Sequence, residues 1–189
     1  ADPWNTALDL LVEAEHGSDS CALLLTASRN LAEKVAEDCE RLLDEMPEER
    51  RRFVGDVFQR YGGILITRDE AEAAHIINRF GPEHLQLRTG APFTTLSLIS
   101  NAGEILLGRH LPFSAANYAT GVNAVLPTGG WARSYGPVSV RDFIKYSSVV
   151  YAEEAAYADF APRVQRIAEY EGFAAHAAAI SKRRREQRE

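Results

Sequence analysis

The chain has 189 residues, 46% of them hydrophobic, enough to bury a core as one domain with an appendage. Its 27 acidic and 21 basic residues leave a net charge of −6, which argues against a nucleic-acid partner because phosphate binding wants a basic surface. Apolar runs such as Ala22 to Leu25 are too short to span a bilayer, and no charged-then-apolar leader is seen, so a soluble cytoplasmic protein with no membrane partner is expected.

In chain order, Asp2-Pro3 reads as a helix start, with Asp as cap and Pro tolerated in the first turn. That helix is expected to run to about His16 and stop at Gly17. Residues Cys21 to Thr26 form a continuous apolar run, the pattern of a strand covered on both faces. Ser28 then caps a long amphipathic helix to about Met46, with Leu31, Val35, Cys39, Leu42 and Leu43 on one stripe. A further helix over about 47–61 precedes Gly62-Gly63 and a strand at Ile64 to Thr67. Asp69 opens the next helix, which leads into the turn Gly81-Pro82-Glu83-His84 and the alternating run Leu85-Gln86-Leu87.

A strand at Glu104 to Leu107 follows, and then a stretch rich in Gly, Pro, Asn and Ser from Gly108 to Pro137, too long for an idle connection. From about Glu153 two helical segments meet at Tyr170-Glu171-Gly172. The run from Lys182 to Arg188 reads as a solvated helix end with cations suiting the dipole. Strands alternating with covering helices predict an α/β fold: a mainly parallel, Rossmann-like sheet over residues 1–150, and a C-terminal helical arm over 151–189. The chain opens Ala-Asp-Pro-Trp with a helical pattern already running, so a piece of a larger protein is expected. Cys21 and Cys39 have neither metal-site nor disulfide spacing and read as buried, inert thiols.

Four groups of residues carry possible chemistry. Glu83 and His84 set two proton-transfer groups of different basicity side by side. Neighbours on a regular strand point to opposite faces, so the two share a substrate only if the turn bends the backbone; otherwise they are a surface couple. Glu13 and His16, three apart on the expected helix, either share one ion or form a solvated pair at a helix end. Glu171 and His176 are five apart and need a break at Gly172 to meet. Asn117, in the long stretch, is an amide ligand or a turn former. His75 and His110 receive no role. Two histidines with carboxylate or amide oxygens suit Zn²⁺ or a similar cation. No glycine-rich phosphate loop of either familiar type is present.

Taken together, Glu15-His16-Gly17-Ser18-Asp19-Ser20, Gly81-Pro82-Glu83-His84-Leu85, Asn123-Ala124-Val125-Leu126-Pro127-Thr128 and the stretch Glu171 to His176 resemble the C-terminal portion of histidinol dehydrogenase, in the same order and at about the same separations. The resemblance implies a zinc- and NAD-dependent oxidation of L-histidinol to L-histidine through the aldehyde. It implies Glu83 as the residue that activates water for the second oxidation and His84 as general base in both steps, touching substrate. Glu171 becomes a substrate-contacting carboxylate. His16 becomes one zinc histidine and His176 another, reaching across a swapped homodimer, with Glu13 and Asn117 completing the ligands.

Three positions depart from the family pattern, which has Gln at Glu13, Asp at Asn117 and His at Ala124. The first two exchange amide and carboxylate and keep the total ligand charge. With Ala124, they imply as an alternative a paralogue that oxidises another small polar alcohol, an acidic or sulfonated one. A non-catalytic α/β module is the reading from a different class. The resemblance also puts most nicotinamide contacts outside these residues, which implies that the 189-residue chain alone is inactive.

Overall fold

The computed structural model describes residues 1–183 and divides into two compact units, Ala1–Ile144 and Lys145–Glu189. From Arg184 onward the expected basic helix end lies outside the described residues.

The first unit opens with α1 (Pro3–Ala14), where the Asp2 side chain accepts from the Asn5 N–H at 2.8 Å and Pro3 sits at the first turn. The strand β1 (Leu23–Thr26) follows, then α2 (Arg29–Glu45) with Ser28 accepting from Leu31 N–H, then α3 (Glu48–Arg60). Ala7, Leu10, Leu11 and Ala14 of α1 pack with Val35, Cys39 and Leu42 of α2 and with Val54 and Val57 of α3. Val35, Val54 and Val57 are fully buried, each contributing about 1.5–3 kcal/mol of hydrophobic stabilisation. The expected stripe on α2 is therefore the core stripe, with Leu31 and Leu43 at its margins.

After α3 come β2 (Gly63–Ile66), α4 (Glu70–Phe80), β3 (His84–Leu87), α5 (Pro92–Leu96), β4 (Glu104–Leu107) and α6 (Phe113–Tyr118). All strand pairing is parallel, as expected for α/β alternation, but in two separate pairs: β1 with β2 and β3 with β4. Unlike the strand expected to be covered on both faces, β1 is half-buried throughout, and Leu65 and Ile66 of β2 are exposed. A two-stranded sheet buries its strands less than the wide sheet that the apolar run suggests. The β3–β4 pair is better covered, with Leu85, Leu87, Glu104 and Leu106 buried.

Two further expectations are corrected. The region from Gly108 to Pro137 is not wholly irregular: it contains α6 and a single 3-10 turn at Trp131–Arg133, and Asn117 lies on α6 rather than in a loop. Cys39 is buried as expected, its thiol pushed up to about 11 by burial and then by the Asp38 charge. Cys21 is exposed, its Sγ reaching the Tyr61 carbonyl oxygen, and partial shielding still raises its thiol. The position just before β1, outside the core helices, explains why an apolar neighbourhood in sequence does not bury it.

The second unit holds α7 (Glu154–Tyr170) and α8 (Ala174–Ser181), separated by Gly172 in the left-handed region at φ +78°. The Tyr157 hydroxyl donates to the Ile180 carbonyl at 3.2 Å and ties the two helices together. Among the described residues no helix is long and apolar enough to cross a membrane.

Candidate active site

The site is built around the turn between α4 and β3. Gly81 closes α4 in the left-handed region, φ +65°, with its N–H on the Ile77 carbonyl. That conformation suits glycine and redirects the chain at once into Pro82 and Glu83. The strand begins only at His84, so Glu83 belongs to the turn and escapes strict strand alternation. Two backbone bonds then fasten the turn to the start of β4: Gly103 N–H to the Pro82 carbonyl at 2.9 Å and Glu104 N–H to the Glu83 carbonyl at 2.8 Å.

Parallel register places His84 opposite Glu104. Across that pair His84 Nδ1 and Glu104 Oε2 share a hydrogen bond at 2.8 Å, with both side chains largely buried. The other carboxylate oxygen of Glu104 is buried without a hydrogen-bond partner. The edge of the Phe113 ring meets the imidazole at 85°, centroids 5.9 Å apart. Glu104 is the buried carboxylate beside His84 that sequence reasoning missed. A charged residue opening the apolar strand Glu-Ile-Leu-Leu was the available signal, but its partner is fixed only by strand register.

Glu13 and His16 do come together, though not as expected. The helix ends at Ala14, so His16 lies beyond it, its Nδ1 4.0 Å from Glu13 Oε2. The imidazole is exposed, while Glu13 keeps its second oxygen, Oε1, buried and without a partner. Burial raises the Glu83 carboxyl above its usual range; the His84 charge opposes the rise, the Glu13 charge adds to it and His16 opposes it. The carboxyl of Glu83 thus feels both the neighbouring base and the Glu13–His16 pair.

A second tie orders the surroundings. Asp9, buried on α1, forms an ion pair with Arg88 just past β3, and its Oδ1 also accepts from Phe113 N–H at 3.4 Å. Arg88 in turn donates to Gln86 Oε1, and Gln86 donates to the Leu111 carbonyl. Helix α1, the end of β3 and the start of α6 are therefore locked to one another. Glu13 follows Asp9 by one helical turn, and Asn117, half-buried, follows Phe113 by one turn on α6.

Ala124 is exposed, between the Asn123 side chain that bonds the Val138 carbonyl and the buried Leu126. Glu171 caps the C-terminus of α7 and His176 lies on α8, both exposed in the second unit, on opposite sides of the break at Gly172. The His176 ring stands 5.3 Å from that of Phe173. His75 and His110 are exposed.

A zinc ion suits what is present in part. A buried carboxylate oxygen with no partner, beside an imidazole, is a pair of donors that a borderline cation accepts. Among the described residues no three of His, Cys, Asp and Glu converge to hold a metal, so this unit offers a partial set.

A family model described as histidinol dehydrogenase matches residues 1–184. Histidinol dehydrogenase of Synechocystis is 52% identical over 182 residues, covering 96% of this chain and 42% of the relative. Histidinol dehydrogenase homolog 2 of Mesorhizobium japonicum is 47% identical, covering 93% of this chain and 40% of that protein. The crystal structure of histidinol dehydrogenase from Elizabethkingia anophelis superposes with a TM-score of 0.90 at 32% identity, over 96% of this chain and 41% of that one. The chain spans about two fifths of the length of the curated relatives it matches.

Proposed function

Because this chain belongs to the histidinol dehydrogenase family, we propose that it carries the acid–base and metal-binding groups of a cytoplasmic NAD- and zinc-dependent alcohol dehydrogenase. The lead substrate is L-histidinol, oxidised through the aldehyde to L-histidine. The observation that carries this reading is the family match over residues 1–184, with Glu83 and His84 adjoining at the turn that opens β3.

In this reading His84 takes the alcohol proton at Nε2, the ring nitrogen not engaged by Glu104. Glu83 acts in the second oxidation, drawing a proton from the water that adds to the aldehyde carbon. Its carboxyl holds a proton more tightly than an ordinary glutamate does, because burial disfavours the anion. Such a carboxylate is a stronger base towards water. Glu171 contacts the substrate.

Glu13, His16 and Asn117, with His176 of the partner subunit of a homodimer, would hold zinc. When bound, zinc supplies Lewis-acid polarisation and a template for the substrate, with no redox change of its own; NAD, when bound, accepts the hydride of each oxidation. Most contacts to the nicotinamide cofactor fall outside these 189 residues, and this piece alone is inactive.

A second reading is favoured by particular residues. Glu13, Asn117 and Ala124 stand where the family has Gln, Asp and His, and relatives at 47% and 46% identity are described as homologs of histidinol dehydrogenase. On that reading the substrate is another small polar or sulfonated alcohol. The deciding test is NADH formation by the full-length protein with histidinol against a panel of small polyols and sulfonated diols. Turnover of histidinol above the panel supports the lead; turnover of a panel alcohol alone moves the substrate. No turnover of any, with no zinc in the full-length dimer, favours a non-catalytic module.

A further inference from the structure

We propose that Glu104 is a positioning residue for His84, fixing the ring as the Nδ1–H tautomer so that Nε2 is the atom that receives the substrate proton. The proposal rests on the reading of His84 as general base. A carboxylate accepts hydrogen bonds and donates none, so the 2.8 Å contact to Glu104 Oε2 requires the proton to sit on Nδ1. The Nε2 lone pair is then left free. In the first oxidation the substrate O–H bond breaks and its proton forms the N–H bond at Nε2. The electron pair left on oxygen closes the C=O bond as the carbon gives up hydride, for which bound NAD would be the acceptor. The imidazolium formed at that moment faces the Glu104 anion across the strand pair.

Two observations separate this role from ordinary packing. The β3–β4 pair is already held by its ladder and by the backbone bonds at Gly103 and Glu104. The Glu104 carboxylate adds no second bond: Oε1 is buried and unpartnered, so the side chain costs stability where an apolar residue would not. Among the described residues the side-chain hydrogen bond of this buried acid goes to the candidate base, and what it does to that base explains it. Around the ring stand Glu104 at Nδ1, the neighbouring Glu83 carboxyl and the Phe113 ring edge, which limits tilting.

The test uses the full-length, zinc-loaded dehydrogenase with ¹⁵N-labelled histidine. The wild-type spectrum is expected to assign the His84 proton to Nδ1. Glu104→Gln keeps the shape but lets the amide either accept or donate, so a mixture of tautomers is expected. Its kcat should fall about a hundredfold or more, in line with other bases left in the wrong tautomer, while KM stays within about threefold. An Nε2–H tautomer in the wild type overturns the proposal, and so does a Gln variant with wild-type tautomer and kcat. The wild-type spectrum needs no variant, so a poorly folding variant leaves the question decidable. Absence of any alcohol turnover by wild-type enzyme would sink the functional reading, yet the tautomer result would still decide whether Glu104 orients the ring.

Discussion

Asp9 and Arg88, 79 positions apart in sequence, form a buried ion pair that joins α1 to the end of β3. Both side chains are nearly out of solvent, so each charge depends on the other. Replacing Arg88 with Met leaves the Asp9 anion buried and half-satisfied. The expected loss is about 3–5 kcal/mol, read from urea denaturation of the full-length protein. Adding Asp9→Asn to that variant should restore most of the loss, because the stranded charge is then gone. A double variant no more stable than Arg88→Met would show that the stranded Asp9 charge is not the source of the loss.

Gly103 packs against the turn that carries Glu83. A Cβ at this position would meet the Glu83 carbonyl oxygen at 2.6 Å and Pro127 Cδ at 3.1 Å. Backbone cannot swing aside as a flexible side chain does. Gly103→Ala is therefore expected to cost about 1–3 kcal/mol, the usual range for overpacking, and to displace Glu83. Alcohol oxidation should fall more than thermal stability suggests, and wild-type turnover with an unchanged melting temperature would contradict this.

The Glu83 carboxyl is raised by burial, so the folded chain holds that proton better than the unfolded chain does. The linked stability is present in full below the ordinary carboxyl range and is lost as pH rises through the raised value. In metal-free protein, Glu83→Gln should then melt slightly higher than wild type at neutral pH. The two melting curves should converge as the solution is acidified and Glu83 becomes neutral. A variant less stable than wild type at neutral pH and unchanged at acid pH would reverse the sign.

Metal analysis distinguishes the two sides of the Glu13–His16 pair. If His16 is a ligand, His16→Ala should lower zinc affinity of the full-length protein by more than the roughly 10–100-fold that an outer partner costs. Glu13→Gln keeps an oxygen donor, so zinc should remain bound. Equal zinc content in wild type and His16→Ala would remove His16 from the ligand set.

Local chemistry explains which parts of this protein could be read before folding. The caps at Asp2, Ser28 and Asp69 and the stripe Val35, Cys39, Leu42 announce their helices because capping and 3.6-residue periodicity act within a few positions. The parallel pairing of strands follows from the alternation with helices. The turn that holds Glu83 and His84 was legible because Gly81-Pro82 is a local signal. What failed was range: the burial of Cys21 and of β1 was inferred from apolar neighbours in sequence, whereas burial depends on which elements cover them.

Capping and periodicity within a few residues were enough to set the helices and the alternation that makes the strands parallel. Only the tertiary structure decided that Glu104 faces His84 and that Asp9 holds Arg88 and the start of α6. Those contacts depend on strand register and helix packing across 20 and more positions, and no local pattern encodes where a distant carboxylate will land.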